Sequence, residues 1–296
     1  MATLLGRLLS LPKKHMTFAA MDTSADANEI EDSVMVEKFG KVMTIGINRP
    51  DVRNCVNPTT ADRLIAAFNQ FELDSEALVA VLYGKGGCFC AGFDLKALAK
   101  GELDPLSYHD PNSGTRAAMG PTRMAFSKPV IAAIDGYAVA GGLELALMCD
   151  LRVVEESAVM GVFCRRFGVP LIDGGTMRLP ALIGLSRALD LILTGRPVSA
   201  KEAFDIGLAN RIVATGTALG QALQLANSLV KFPQACMRAD RASCYYSTFQ
   251  AASMQEALQQ EWTAGIEVIK SEAIQGANRF AKGAGRHGDF TGGSKL

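Results

Sequence analysis

The acid best placed to do chemistry is Glu144, which lies in an apolar helical segment directly after the pair Gly141-Gly142. Apolar runs that predict buried strands flank this segment, Val130 to Ile134 before it and Leu151 to Val154 after it. A carboxylate between two buried strands is costly to desolvate unless it has a partner or a function. The glycines allow backbone N–H groups at a helix start to approach a ligand closely. An acid beside such donors is suited to moving a proton while an oxyanion is stabilised.

Each of these residues also has a simpler structural interpretation when it is taken alone. Gly141 and Gly142 would permit tight packing of a helix on a strand, and Glu144 would be favoured at a helix start by the helix dipole. The combination of all three in one segment favours the functional interpretation.

A second glycine-rich segment follows another apolar strand earlier in the chain. We expect the strand at Leu78 to Tyr83, and the loop from Gly84 to Leu95 then opens a helix. No Gly-Lys-Ser/Thr sequence closes this loop, so it is not a phosphate-binding loop of the nucleotide-binding type.

Size and charge restrict the class of protein. A chain of 296 residues is long enough for one large domain or for a domain with an appendage. Its 30 basic and 30 acidic residues balance, which gives no indication of a nucleic-acid or membrane surface, although a local basic pocket for a phosphorylated ligand stays compatible with that balance. No apolar run approaches the ~20 residues that a membrane-spanning helix needs.

Neither the cysteines nor the histidines form a metal-binding pattern. The seven cysteines are scattered, and Cys88 and Cys90 are too close together for metal-ligand spacing, so we expect free thiols in a reducing compartment. His15, His109 and His287 have no ligand-like spacing. The sequence therefore predicts no metal site.

The order of the predicted elements indicates an α/β fold. Residues 34–47 read as a β-hairpin with a turn at Gly40-Lys41, and a helix follows that Thr59 or Thr60 would cap. The stretch 101–120 is polar and is expected to form a mobile loop, and from Ser186 the pattern is helical to about Ala284. Strands with crossover helices come first and helices come last, which predicts an α/β core followed by a helical appendage.

The two ends of the chain carry conflicting targeting signals. Residues 1–21 are basic and contain no acid, which is typical of a mitochondrial presequence, or else form an unstructured tail. The last three residues, Ser294-Lys295-Leu296, spell a peroxisomal address. We expect a peroxisomal location, with the mitochondrial matrix as the alternative.

Four ordered motifs resemble the enoyl-CoA hydratase/isomerase (crotonase) superfamily, and the likeness extends over about Val34 to Phe290. The matching segments are Phe89 to Lys96, Ile131 to Leu145, Gly174 to Leu179 and Leu193 to Ala200. The resemblance implies a spiral of ββα turns with a C-terminal helical part that assembles into trimers, often paired into hexamers. It divides the chain into an extension at 1–32, a spiral core with the acyl-CoA site at 33–200, a helical trimerisation region at 201–290 and a tail at 291–296.

The resemblance also implies a ligand and roles for individual residues. The ligand would be an acyl-CoA thioester, whose CoA is part of the substrate, so no separate cofactor is expected. The backbone N–H groups of Phe93 and Gly141 would hold the thioester oxygen, and Glu144 would be the catalytic acid/base. The positions that match the segment lining the CoA adenine site are Ala91, Asp94, Leu95 and Lys96.

One departure from the family pattern leaves the reaction open. Hydratases of this superfamily carry a second glutamate where this chain has Cys164, and a thiol does not replace a carboxylate that hydrogen-bonds water. Asp173, directly before Gly174, matches the offset of a catalytic aspartate in dienoyl-CoA isomerases. It would act either as a second proton carrier or as the cap of the helix that follows.

The sequence is therefore compatible with three functions. The first is hydration of a 2-enoyl-CoA thioester with Glu144 as acid/base. The second is migration of a double bond, with Glu144 and Asp173 passing the proton. The third is acyl-CoA binding without catalysis. We rank them in that order.

Overall fold

The computed structural model describes residues 33–102 and 116–285, which contain two β-sheets. The strands of these residues are β1 (Val34–Phe39), β2 (Val42–Ile47), β3 (Val79–Gly84), β4 (Val130–Ile134), β5 (Tyr137–Val139), β6 (Leu151–Glu155), β7 (Val159–Gly161), β8 (Val198–Ser199) and β9 (Arg211–Val213). The larger sheet has the order β1-β2-β3-β4-β6-β9, and the smaller one has the order β5-β7-β8. Every pair in the larger sheet is parallel except β1 with β2.

Helices connect these strands and form the end of the described chain. They are α1 (Pro58–Leu73), α2 (Leu95–Ala99), α3 (Gly141–Met148), α4 (Gly175–Ile183), α5 (Leu185–Thr194), α6 (Ala200–Asp205), α7 (Ala218–Val230), α8 (Gln234–Phe249), α9 (Met254–Val268) and α10 (Ile274–Ala281). Short 3₁₀ helices lie at Pro50–Val52, Pro121–Arg123 and Phe163–Phe167, and a π-helical turn at Ile269–Ala273 joins α9 to α10.

The predicted hairpin is confirmed, while the predicted cap of the first helix is wrong. Strands β1 and β2 pair antiparallel with Phe39 opposite Val42, which leaves Gly40 and Lys41 as the turn. Helix α1 begins after Asn57, whose side chain accepts the N–H of Thr60 at 2.9 Å. Asparagine at the cap and proline at the first helical position are a favourable start for a helix, and here they precede both threonines.

The core lies on both faces of the larger sheet. One apolar cluster fills the space between the sheet, α1 and α3, and the second lies between the sheet and α7. Strands β2 and β4 are buried along their whole length, as expected for parallel strands that are covered on both faces. This packing holds the ends of β4 and the start of α3 in fixed positions.

The expectation that the chain is helical from Ser186 to about Ala284 is wrong in two places. Strand β8 pairs with β7, and β9 pairs with β6 at the edge of the larger sheet. The division expected after residue 200 therefore falls inside the sheet core, which continues to the end of α7. Strands of two and three residues are too short to produce a periodic pattern, so the sequence analysis could not separate them from the helices around them.

Helix α8 is attached to the core through Asp150. The Asp150 carboxylate accepts Arg241 Nε at 2.8 Å and the Tyr245 hydroxyl at 2.9 Å, and its second oxygen accepts the N–H of Val130 at 2.7 Å. Helices α8, α9 and α10 contain no buried residue. The predicted role of this region in trimerisation stays a prediction.

Some expectations concern residues outside the described part of the chain. The two targeting segments lie in 1–32 and 286–296, and most of the expected mobile loop lies in 103–115. Among the described residues, no helix is long and apolar enough to cross a membrane.

Candidate active site

The two glycine-rich segments that the sequence analysis treated separately lie side by side. The N–H of Cys90 donates to the carbonyl of Tyr137 at 2.8 Å, and the N–H of Val139 donates to the carbonyl of Cys90 at 3.1 Å. A Cβ on Gly142 would lie 2.0 Å from the Cys90 carbonyl oxygen. Glycine at this position therefore allows the start of α3 to pack directly on the first loop.

The entry to α3 is a strained turn. Ala140 has φ 55° and ψ −126°, an uncommon conformation for a residue with a side chain, and its N–H donates to the carbonyl of Gly161 at 2.9 Å. Opposite this turn, a Cβ on Gly92 would lie 3.1 Å from the backbone nitrogen of Gly141. The backbones of the two loops thus approach each other closely where Gly141 begins the helix.

Phe93 and Gly141 both line one cavity of about 390 Å³. The N–H of Val56 donates to the carbonyl of Gly92, and the N–H of Asp94 donates to the carbonyl of Val56, so the N–H of Phe93 lies on the opposite side of its segment. Gly141 is the first residue of α3, where N–H groups lack a partner within the helix. Their predicted action as a pair of oxyanion donors stays a prediction.

The cavity wall is mostly apolar and contains two acids. Glu144 and Asp173 are 3% and 2% exposed. Apolar side chains in the wall include Leu95, Leu98, Met119, Phe163 and Val169. An apolar cavity with a few polar groups is the usual form of a small-molecule site.

Glu144 is held through one of its two carboxylate oxygens. Its Oε1 accepts the N–H of Asp173 at 2.9 Å and the N–H of Gly175 at 2.8 Å. Burial and the neighbouring Asp173 carboxylate raise the pKa of Glu144 to about 8, against the effect of the two hydrogen bonds. A carboxyl group with a pKa near neutrality is suited to both accepting and donating a proton.

Asp173 is buried beside Glu144 and has its own donors. Its Oδ1 accepts the N–H of Met119 at 2.9 Å and the hydroxyl of Thr122 at 2.5 Å. Burial raises the pKa of Asp173, although these hydrogen bonds oppose the shift. The alternative in which Asp173 caps the next helix is wrong, because the cap residue of α4 is Gly174 and no side chain bonds there. The carboxylate turns towards the segment at 119–122 instead.

Cys164 lines the same cavity. It lies in the 3₁₀ helix Phe163–Phe167 and is buried. Burial, followed by the charge of Glu144, raises the pKa of its thiol. The wall near Glu144 therefore carries a neutral thiol at Cys164. A second carboxylate at this position would make the cavity more polar.

The four residues expected to line a CoA site divide into two groups. Ala91 and Leu95 are in the cavity wall. Asp94 caps α2 by accepting the N–H of Lys96 at 3.0 Å, and it pairs with Arg49 at 3.2 Å. Lys96 is exposed. Within the described part of the chain, the structure thus brings the first two to the cavity and leaves the other two outside its wall.

Three residues of the site were missed in the sequence analysis. Met119 and Thr122 contact Asp173, and Arg123 donates to the carbonyl of Ile172 at 3.0 Å. Met119 lies at the end of the stretch 101–120, which was interpreted as a loop, and Thr122 and Arg123 follow directly after it. Nothing in the local sequence marks them as partners of residues some fifty positions later.

The described residues contain no group of three or more histidine, cysteine, aspartate or glutamate side chains that could hold a metal ion. A buried acid with a raised pKa in the wall of an apolar cavity is suited to proton transfer.

Comparison with known proteins identifies the family of this chain. Residues 37–285 match the family described as enoyl-CoA hydratase/isomerase. The chain is 32% identical to the enoyl-CoA hydratase EchA19 of Mycobacterium tuberculosis over 260 residues, which cover 84% of this chain and 93% of that relative. It is 37% identical to the human enoyl-CoA hydratase domain-containing protein 2, mitochondrial, over 221 residues, 73% of this chain and 74% of that one.

Solved structures show the same relationship at the level of the fold. The crystal structure of the enoyl-CoA hydratase EchA1 from Mycobacterium marinum superposes with a TM-score of 0.77 at 33% identity, covering 84% of this chain and 96% of that one. The crystal structure of a probable enoyl-CoA hydratase/isomerase from Mycobacterium abscessus superposes with a TM-score of 0.75 at 37% identity. The match covers 85% of this chain and 96% of that one. The expected α/β spiral with a C-terminal helical part is therefore confirmed, and this chain belongs to the enoyl-CoA hydratase/isomerase family.

Proposed function

We propose that this protein is a hydratase-like enzyme that adds water to a 2-enoyl-CoA thioester. The observation that carries the proposal is the state of Glu144, which is buried in the wall of an apolar cavity and has its pKa raised to about 8. Phe93 and Gly141 line the same cavity, which supports the proposal that their backbone N–H groups hold the thioester oxygen. The hydratase names of relatives and structural neighbours support the assignment.

The proposed reaction needs one acid/base and one oxyanion site. The Glu144 carboxylate accepts a proton from water as the water oxygen bonds to C3. The electrons of the C2=C3 bond move towards the thioester oxygen, where the N–H groups of Phe93 and Gly141 stabilise the charge. A donor in such a site typically contributes ~2.7–4 kcal/mol. The protonated Glu144 then gives its proton to C2, so that one water is consumed and no further cofactor is needed.

Migration of a double bond is the second candidate, and two observations favour it. The wall near Glu144 carries Cys164, which cannot hold water as a carboxylate does, and Asp173 is a buried acid at the same cavity. Glu144 would remove a proton from one carbon of a 3-enoyl or dienoyl thioester, and Asp173 would protonate another. The substrate and product would then have equal mass.

The two reactions are separated by a mass-resolved assay. Crotonyl-CoA and a 3-enoyl-CoA are incubated with the enzyme in separate reactions. Hydration predicts that crotonyl-CoA gains the mass of one water. Turnover of the 3-enoyl thioester alone, at constant mass, would assign the enzyme as an isomerase.

Acyl-CoA binding without catalysis is the third candidate. It would be supported if Glu144→Gln left acyl-CoA binding intact and changed no measurable rate on any thioester of the panel. The raised pKa of Glu144 gives this candidate less support than a proton-transfer function.

We propose a homotrimer, or a pair of trimers, built through the C-terminal helices. Their large exposed apolar side chains support this assembly, since such groups are favoured at subunit contacts. They include Leu258, Trp262, Ile274 and Phe280, which are 51%, 65%, 58% and 67% exposed. Light scattering of the purified protein gives the mass of the assembly, and a monomer would contradict the proposal.

We propose a peroxisomal location from the Ser294-Lys295-Leu296 ending, with the mitochondrial matrix as the alternative. The human and mouse relatives are both named as mitochondrial proteins, which supports the alternative. Fluorescent fusions at each end in turn test the two signals, because a C-terminal fusion masks the peroxisomal one.

A further inference from the structure

Glu144 is held by a single turn of the chain, at residues 172–175. Its Oε1 accepts the N–H groups of Asp173 and Gly175 at 2.9 and 2.8 Å. A Cβ on Gly175 would lie 2.9 Å from the same oxygen. The turn therefore lies directly against the carboxylate, and its position determines where that carboxylate points.

Arg178 holds the turn from its other side. Its Nη1 donates to the carbonyl of Asp173 at 3.1 Å, and its Nη2 donates to the carbonyl of Thr122 at 2.7 Å. A Cβ on Gly174 would lie 2.4 Å from Nη1, so the guanidinium group lies against the backbone at this glycine. One side chain thus ties the turn to the 3₁₀ helix Pro121–Arg123.

Arg123 holds the preceding peptide of the same turn. Its Nη2 donates to the carbonyl of Ile172 at 3.0 Å. The N–H of that peptide belongs to Asp173 and donates to Glu144. The peptide therefore joins a cation at its oxygen to a carboxyl group at its nitrogen, an arrangement in which each hydrogen bond strengthens the other.

We propose that Arg123 and Arg178 are positioning residues that hold the turn at 172–175 and, through it, the acid/base carboxylate of Glu144. The two guanidinium groups hold successive carbonyls of the turn, and the turn holds the carboxylate with two N–H groups. This inference rests on the role of Glu144 in the proposed function, and it assigns no contact with the substrate to either arginine.

The arginines also affect the charge of the site. Among the described residues, the titratable and charged groups that face Glu144 are Asp173, Cys164 and Arg178. Of these three side chains, only that of Arg178 lowers the pKa of Glu144. Arg123 and Arg178 both lower the pKa of Asp173. Removal of the Arg178 guanidinium group should therefore favour the protonated form of Glu144, which cannot accept a proton.

The test compares Arg178→Met, Arg178→Lys and Arg123→Met by two readouts. The first is the pH dependence of kcat/KM on the thioester that the enzyme turns over. The second is an infrared titration of the protonated Glu144 carboxyl band, identified by its loss in Glu144→Gln, which needs no activity. Arg241→Met is the control, because Arg241 is also partly buried. Its partner is Asp150, which attaches α8 to the core.

The proposal predicts that Arg178→Met raises the pKa of Glu144 by about one unit in both readouts and lowers kcat/KM by about 10- to 100-fold. Arg178→Lys keeps the charge but cannot donate to both the Asp173 and the Thr122 carbonyl in the same way. The kcat should therefore fall, while the pKa of Glu144 stays within about 0.3 units of wild type. Arg123→Met should lower kcat about tenfold or more. Arg241→Met should destabilise the protein and leave the pKa unchanged.

The proposal is overturned if the arginine variants lose only thermal stability, as the control does, with the infrared pKa and kcat of the folded enzyme unchanged. Failure of the proposed function looks different. In that case no thioester is turned over by any variant, while the infrared titration still reports whether the arginines act on Glu144.

Discussion

The carboxylate of Glu144 accepts the backbone N–H of Asp173 at 2.9 Å, so the two acids of the cavity are joined through the main chain. Burial raises the pKa of Glu144, and the charge of the Asp173 side chain raises it further. Asp173 thus acts on Glu144 in two opposing ways, since its N–H stabilises the carboxylate and its side chain destabilises it.

Replacement of Glu144 by Gln should lower kcat by about 10²- to 10⁴-fold, because a positioned acid/base typically contributes that factor. Glutamine keeps the size of the side chain and can still accept the N–H groups of Asp173 and Gly175. Binding of a non-reacting acyl-CoA, measured by calorimetry, should therefore change little. A variant with wild-type kcat would remove Glu144 from the mechanism.

The pH dependence of kcat/KM should show one group with a pKa near 8. Burial and the Asp173 charge raise the pKa of Glu144 to about 8, and the proposed hydration starts from its carboxylate form. Activity should therefore rise with pH through that value and then level off. Initial rates over a range of buffers give the profile, and activity that is already maximal at pH 6 would contradict it.

Asp173→Asn should distinguish the two reactions. The amide can keep the hydrogen bonds from Met119 and Thr122, but it removes the charge that raises the pKa of Glu144. For hydration we expect the rise in kcat/KM to move to lower pH, with activity at pH 8 within about tenfold of wild type. For isomerisation we expect a loss of about 10²- to 10⁴-fold. Thr122→Val is the control that removes one donor and keeps the acid.

Gly175→Ala should impair catalysis more than folding. Its Cβ would lie 2.9 Å from Glu144 Oε1 and 3.0 Å from Cγ, so the carboxylate must move. A displacement approaching 1 Å costs up to about 10²-fold in rate. Gly220→Ala in α7 is the matched control, since no atom lies within 4 Å of its Cβ position and alanine is favoured in a helix. Equal kcat values for the two variants would contradict the prediction.

Glu144 should also make the protein less stable as pH rises. Its folded pKa of about 8 lies above the ordinary glutamate value of 4.5, so the folded state binds the proton more strongly than the unfolded state does. This contribution to stability is complete below pH 4.5 and is lost as pH rises to about 8. The Tm of Glu144→Gln should therefore be higher than that of wild type at about pH 8.5 and not at about pH 4.5. Each kcal/mol of difference in unfolding free energy corresponds to about 2–4 °C in Tm. Calorimetry at the two pH values checks it, and an equal difference at both would contradict it.

Local sequence patterns were enough to identify Glu144, the two glycine-rich loops and the early hairpin. These features depend on residues that are close together in the chain, such as Phe39 and Val42 in the turn. The pairing of the two loops follows from parallel strands β3 and β4, whose carboxyl ends meet at one edge of the sheet. The family resemblance added the ligand class and the order of the motifs.

Long-range contacts account for what the sequence analysis missed. Asp173 takes its hydrogen bonds from Met119 and Thr122, more than fifty residues earlier, and no periodic pattern encodes such a pairing. Capping was one of the two roles considered for Asp173, because aspartate is a favourable residue at the start of a helix. In the structure, Gly174 occupies the cap position, so the carboxylate is free to turn into the cavity.

The most direct test of the central claim is the incubation of crotonyl-CoA with wild type and with Glu144→Gln in ¹⁸O-labelled water, followed by mass measurement of the thioester. Hydration through Glu144 predicts a wild-type product that has gained one labelled water, formed about 10²- to 10⁴-fold more slowly by the variant. A wild-type enzyme that leaves the mass of crotonyl-CoA unchanged, or a variant that adds water at the wild-type rate, would contradict the account.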